Sequence, residues 1–166
     1  GTNLDQKNIA VTVTADNCTT GDLVEVNILD KGKVVASATG FPGSPLRLAI
    51  AEPKLWSPDS PFLYDMTAEL KRGGKTVDKV DSYTAMRKIG TARDKAGILR
   101  MTLNDEPLFH YGPLDQGWWP DGLFTAPTDE ALLFDILKTK ELGYNMIRKH
   151  VKVEPARWYY HCDREG

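Results

Sequence analysis

The sequence predicts an all-β immunoglobulin-like sandwich over residues 1–92, followed over residues 93–166 by an incomplete α/β segment that would belong to a parallel sheet or to a barrel of TIM type. Three observations predict it: period-two alternation from Ile9 to about Ile89, the absence of a convincing helix there, and a switch to strand, helix, strand, helix beyond Gly97.

Within the first part, Ile9, Val11 and Val13 alternate with polar or small residues, and Leu23 to Leu29 repeats the pattern. Asp30-Lys31-Gly32-Lys33 then reads as a tight turn, because Gly32 can take the positive φ that such hairpins demand. Val34 to Ala38, Leu46 to Ile50, Leu63 to Leu70 and Val77 to Met86 supply further strands, with Arg72-Gly73-Gly74-Lys75 as a second hairpin turn. Six or seven short strands in about ninety residues suit an immunoglobulin-like sandwich, although the Cys-Trp-Cys pattern of antibody domains is missing. Gly90 to Gly97 is charged and short of large apolar groups, so the boundary is expected there.

Beyond it, Leu99 to Phe109 reads as a hairpin whose second arm runs to about Tyr111. Thr128 is a candidate N-cap, Asp129 and Glu130 put negative charge on the positive end of a helix dipole, and Leu133, Ile136 and Leu137 recur at helical spacing. Gly143 stops that helix, Tyr144 to Lys149 forms the next strand, and Pro155 opens a second helix carrying Trp158, Tyr159 and Cys162 on one side. Such alternation builds a parallel sheet or barrel, and two units are too few to close one.

Composition bounds function more loosely. The chain has 166 residues, 41% hydrophobic and 27% charged, with a formal net charge of -2. Interspersed signs give no basic footprint, so neither nucleic acid nor an anionic membrane is implied as a partner. Gly1 to Gln6 lacks the features of a signal peptide and no apolar run approaches spanning length. The protein is expected to be soluble, with export to the periplasm or medium left open, as is oligomeric state. Cys18 and Cys162 read as two free thiols. His161, Cys162 and Asp163 have no second ligand pair at metal spacing, so no metal is expected.

Five blocks carry a resemblance: Leu55-Trp56-Ser57-Pro58-Asp59-Ser60-Pro61-Phe62-Leu63-Tyr64, Ala85-Met86-Arg87-Lys88-Ile89, Leu103 to Leu108, Lys140 to Arg148 ending in Gly143-Tyr144-Asn145-Met146-Ile147-Arg148, and Arg157 to Gly166. Their order and spacing resemble glycoside hydrolase family 2, the group of β-galactosidases, β-glucuronidases and β-mannosidases. The resemblance implies a fragment of a retaining, β-galactosidase-like glycosidase that hydrolyses terminal β-glycosidic bonds of carbohydrates and needs no cofactor. Retention needs two carboxyl groups roughly 5 to 5.5 Å apart, one attacking the anomeric carbon and one protonating the leaving oxygen. In the family both come from later barrel strands, and no glutamate here matches either motif, so this chain alone is expected to be inactive.

Arg148 and His150 are site candidates by that resemblance, and the loop from Asp115 to Trp119, which departs from the commonest family pattern, supplies others by its chemistry. Arg148 falls on the family's active-site arginine, where a guanidinium can hold a catalytic carboxylate ionised; a salt-bridged structural arginine is the alternative. His150 follows it and is either a substrate contact or part of a solvated loop. Asp115, Gln116, Trp118 and Trp119 suit a glycan pocket, because sugar C–H faces stack on aromatic planes while carboxylate and amide groups fix hydroxyls; both tryptophans could instead pack the loop. Trp56, Phe62 and Tyr64 are expected to seal the sandwich or its seam. The rival reading is a non-enzymatic carbohydrate-binding or adhesion module whose working part is the sandwich, and a third is a structural spacer.

Overall fold

Seven strands come first in the computed structural model, which describes all of residues 1–166: β1 (Thr2–Asn3), β2 (Asn8–Thr12), β3 (Leu23–Asp30), β4 (Lys33–Gly40), β5 (Pro45–Ala49), β6 (Tyr64–Arg72) and β7 (Lys75–Thr84). They make two antiparallel sheets, in the orders β1-β2-β5 and β4-β3-β6-β7. Alternation decides which side chains meet between the sheets. On β3, Val24, Val26 and Ile28 are buried while Glu25 and Asn27 turn outward, and Leu46 and Leu48 of β5 do the same from the facing sheet. Ile9, Ile50, Tyr64 and Met86 complete this core, and Phe62 packs on its margin. The expected sandwich is therefore present, with β1 as a strand too short to leave a periodic signal.

Both expected hairpin turns form, with Lys31 and Gly32, and Gly73 and Gly74, at positive φ. The Gly90 to Gly97 stretch is more ordered than its composition suggests. Strand β8 (Ile89–Arg93) pairs with β9 (Leu99–Leu103), which pairs with β10 (Glu106–Pro107), so residues 92 and 93 lie inside a strand. Asp94 closes the turn, its Oδ1 accepting from the N–H groups of Ala96 and Ile98.

The rest is a β-α-β-α run: β11 (Leu114–Asp115), α1 (Asp129–Glu141), β12 (Arg148–Lys149) and α2 (Ala156–Glu165). Strands β11 and β12 are parallel, with Leu114 opposite Arg148 and Asp115 opposite Lys149. The second arm of the β9 hairpin is much shorter than expected, and the parallel strand lies at 114–115 instead of ending at Tyr111. Backbone bonds from Asn145 N–H to the Tyr111 oxygen and from Arg148 N–H to the Pro113 oxygen lengthen the alignment.

Thr128 caps α1 as expected, its hydroxyl accepting from Ala131 N–H at 3.1 Å. The buried stripe of α1 runs through Leu132 and Ile136 and meets Trp158 of α2; Ile136 is buried as expected, Leu132 takes the place of Leu133, and Leu137 is exposed. On α2 the buried positions are Trp158 and His161, with Tyr159 half-exposed.

The two cores are joined by α2. Asp163 accepts at its carboxylate from Arg87 Nη1 at 2.9 Å and from the Tyr83 hydroxyl at 3.1 Å, while its backbone oxygen accepts from Trp56 Nε1 at 2.6 Å. Arg87 lies over the Trp56 ring at 4.6 Å, and Tyr83 meets Tyr160 edge-on. Lys140 of α1 adds a bond to the Pro58 oxygen and another to the Glu165 oxygen. Trp56 thus serves the seam, while Tyr64 and Phe62 serve the sandwich.

Gly112 marks the tightest approach in the parallel pair, because a Cβ there would overlap the Met146 carbonyl group. Backbone cannot swing away as a flexible side chain can. Gly112→Ala should therefore lower stability by about 1–3 kcal/mol, the range for forcing volume into a packed site. Denaturant unfolding followed by circular dichroism measures it, and an unchanged midpoint would contradict the close approach.

Candidate functional site

Strand alternation sorts the side chains of Ile147 and β12 into two sets. Ile147 packs against Leu132, Ile136 and Trp158, and the Lys149 ammonium lies 4.6 Å over the Trp158 ring, so both face the helices. Arg148, between them, is directed to the other face; it is exposed and its guanidinium makes no hydrogen bond or ion pair within the chain. A free, fork-shaped cation at the end of a parallel strand can hold a carboxylate at two points.

The chain leaves β11 and β12 through Gln116 and His150, and the structure brings these two together: Gln116 Nε2 lies 3.2 Å from His150 Nδ1. A backbone bond from His150 N–H to the Asp115 oxygen at 2.9 Å fixes the spacing. Asp115 itself is turned to the helix side. Its Oδ1 accepts from Gly117 N–H at 2.7 Å and its Oδ2 pairs with Lys149. Both oxygens are engaged in holding the start of the following loop.

The two tryptophans of that loop part company. Trp119 packs against the Leu132, Ile136 and Trp158 core, and its backbone pairs in both directions with Leu123 across a tight turn. Trp118 is 57% exposed, its ring centroid 4.3 Å from that of Phe124. The geometry that suits Trp118 to stack on a ligand face makes Trp119 a packing residue.

Beneath the loop lies a charge cluster that the sequence pattern did not reveal. Glu154 is buried and accepts from Lys149 at 2.7 Å, with Lys152 Nζ at 3.1 Å from the same oxygen. Hydrogen bonds to Asp115 and Glu154 raise the Lys149 pKa against the opposing effect of burial, so the ammonium stays charged. The Glu154 carboxylate is thereby matched by two cations, both at its Oε1. In sequence, Lys149-His150-Val151-Lys152 looks solvated, because its partners come from the loop after β11.

Asp129 also does more than favour the helix dipole. It accepts two hydrogen bonds from Arg157, each at 2.9 Å, and lies 2.8 Å from His161 Nε2. The Arg157 guanidinium foremost, then His161, lowers its pKa to about 2. A cavity of about 400 Å³ lies at the seam, lined by Trp56, Leu103, Ile136, Ile147, Trp158 and Cys162. It adjoins the start of the β12 strand and not its C-terminal end, so it is separate from the Gln116–His150 pair.

The model of Glycosyl hydrolases family 2 matches residues 1–87, and the chain belongs to that family. A β-galactosidase of Lactococcus lactis subsp. lactis is 26% identical over 164 residues, covering 98% of this chain and 15% of that protein. A β-galactosidase of Leuconostoc mesenteroides is 29% identical over 127 residues, 73% of this chain and 11% of that protein. The chain thus spans only a small part of the length of these relatives. Among solved structures, a β-glycosidase from Bacteroides vulgatus superposes with a TM-score of 0.77 at 21% identity, covering 98% of this chain and 22% of that one. A Bifidobacterium dentium β-glucuronidase complexed with coumarin-3-O-glucuronide gives 0.75 at 22% identity, covering 88% and 24%. These superpositions extend the shared fold beyond the sandwich into the β-α-β-α run.

The two thiols should behave differently. Burial foremost, and then the Asp163 charge, pushes the Cys162 thiol up to about 12, whereas Cys18 is exposed. The thiolate is the reactive form, so at pH 8 iodoacetamide should label Cys18 readily and leave Cys162 intact until the chain is denatured. Peptide mass mapping gives the result; equal labelling rates in the native protein would show that α2 does not bury its inner face.

Proposed function

We propose that this chain is the immunoglobulin-like sandwich, residues 1–92, and the opening of a (β/α)8 catalytic barrel, residues 93–166, in a retaining β-glycosidase of larger size. The observation that carries the reading is the parallel β11/β12 pair with α1 as its crossover. Arg148 is free on its open face, and Gln116 and His150 meet at its C-terminal end. Active sites of such barrels form at that end of the strands. The two separate cores, one within the sandwich and one between Trp119 and Cys162, support the division into domains. Ile89, Leu99, Met101, Phe109, Leu114 and Val153 leave apolar surface open of the kind further barrel strands would cover.

In this reading Arg148 orients and electrostatically supports a catalytic carboxylate supplied by a later strand. His150 and Gln116 contact sugar hydroxyls, Trp118 stacks on the ring, Asp115 holds the loop, and Trp119 anchors it. The substrate is a carbohydrate with a terminal β-glycosidic bond. The two glutamates that the chemistry needs lie outside these residues, so the 166-residue chain alone turns over no nitrophenyl β-glycoside. No helix is long and apolar enough to cross a membrane.

The test uses the enzyme of full family length containing this chain. Arg148→Ala should lower kcat/KM by about 10² to 10⁴, the range for removing a positioned polar group from a site, with the unfolding midpoint nearly unchanged. Arg148→Lys should remain impaired, since an ammonium keeps the charge and loses the planar fork. Near-normal activity in the alanine variant would refute the role.

A further inference from the structure

We propose that Lys152 is a positioning residue for sugar recognition: with Phe124 it clamps both ends of the loop that presents Trp118. This deepens the glycosidase reading and rests on it for the identity of the ligand. Lys152 Nζ donates to the Gly117 carbonyl at 3.0 Å and to the Phe124 carbonyl at 2.9 Å, closing the loop from both sides. The same nitrogen lies 3.1 Å from Glu154 Oε1 and 5.3 Å from the centre of the Phe124 ring. Its side chain is only 9% exposed and that of Glu154 only 3%, so this is a buried device and not a surface ion pair.

The loop fits the clamp closely. Gly117 has φ +62°, and a Cβ there would sit 2.5 Å from Glu154 Oε1 and 2.8 Å from Lys152 Nζ. Asp115 Oδ1 holds the Gly117 N–H from the other side. Between the clamped ends, the Phe124 ring has Lys152 near it and Trp118 against it. Trp118, 57% exposed and two residues beyond Gln116 in the chain, is therefore displayed on a loop held at both ends. Stacking on a sugar face gains affinity when the ring is already held in place, because little conformational freedom is lost on binding. Lys152 does this without touching the sugar.

Two measurements test the proposal. In the 166-residue chain, peptide-resolved hydrogen exchange should show Lys152→Met and, by an independent route, Phe124→Ala accelerating exchange of residues 117–125 by about tenfold or more, while α1 and α2 keep their protection. In the full-length enzyme, both variants and Trp118→Ala should raise KM for a nitrophenyl β-glycoside substrate about tenfold with kcat little changed, the signature of lost uniform binding. Phe124 is half-exposed, so its variant tests the clamp even where Lys152→Met fails to fold. Faster loop exchange with KM unmoved in Trp118→Ala would refute sugar stacking by Trp118 and leave the clamp as a loop device only. A raised KM in Trp118→Ala, with loop exchange and KM unmoved in the Lys152 and Phe124 variants, would overturn the clamp and spare the stacking role.

Discussion

The carboxylate of Asp163 is the constraint on which the arrangement of the molecule depends. It stands near the end of the last helix, and it collects a guanidinium and a phenol from the exit of the sandwich, while its backbone oxygen takes the Trp56 indole N–H. Burial, reinforced by that carboxylate, pushes the Tyr83 phenol up to about 12, so the phenol stays a donor across the neutral range. A β-sandwich closes its own core, but two β/α units leave sheet edges and helix faces open. The seam gives the second part a fixed surface to fold against. Asn104 extends it, donating to the Trp56 oxygen while accepting from Lys88 N–H, and so ties the β8–β9 hairpin to the same point.

Orientation at the seam passes to the candidate site through α2. That helix carries Asp163 near one end and Trp158 near the other, and Lys149 rests on the Trp158 ring. Lys149 is in turn matched by Asp115 and Glu154, which sets the register between the loops leaving β11 and β12. Side chains near the sandwich and side chains at the strand ends are thus linked by one rigid element. In the glycosidase reading this places a sugar-binding loop at a defined distance from the domain that precedes it, without any flexible linker.

Much of the fold was legible in the sequence because period-two patterning is a local signal. Val24, Val26 and Ile28 announce a half-buried strand by themselves, as Thr128 with Asp129 announces a helix start. What escaped reading depended on distant partners or very short pairing. Ile89-Gly90-Thr91-Ala92-Arg93 has one large apolar residue and became a strand only because β9 covers it. Strand β11 pairs over two residues, too few for any periodicity, and of the expected Tyr144–Lys149 strand only Arg148 and Lys149 pair with it. In the site, Arg148 and His150 stood out by motif, and Trp118 and Trp119 by chemistry. Lys149-His150-Val151-Lys152 resembles a solvated loop, since a buried ion cluster and a surface one look alike until the loop after β11 closes over it. Asp163 has no partner nearby in the sequence, since the residues it binds lie 76 to 107 positions away.

A double-mutant cycle between Arg87 and Asp163 tests most directly whether the seam couples the two parts. The quantities are unfolding free energies of the 166-residue chain, Arg87→Ala, Asp163→Ala and the double variant, each followed by tryptophan fluorescence and by circular dichroism. Residues that share one ion pair and one hydrogen-bond network show coupling of about 0.5–3 kcal/mol. Coupling in that range is expected, with the unsubstituted chain unfolding in one transition seen alike by both probes. Strict additivity, with separate transitions already present in the unsubstituted chain, would contradict the claim that Asp163 holds the α/β run on the sandwich.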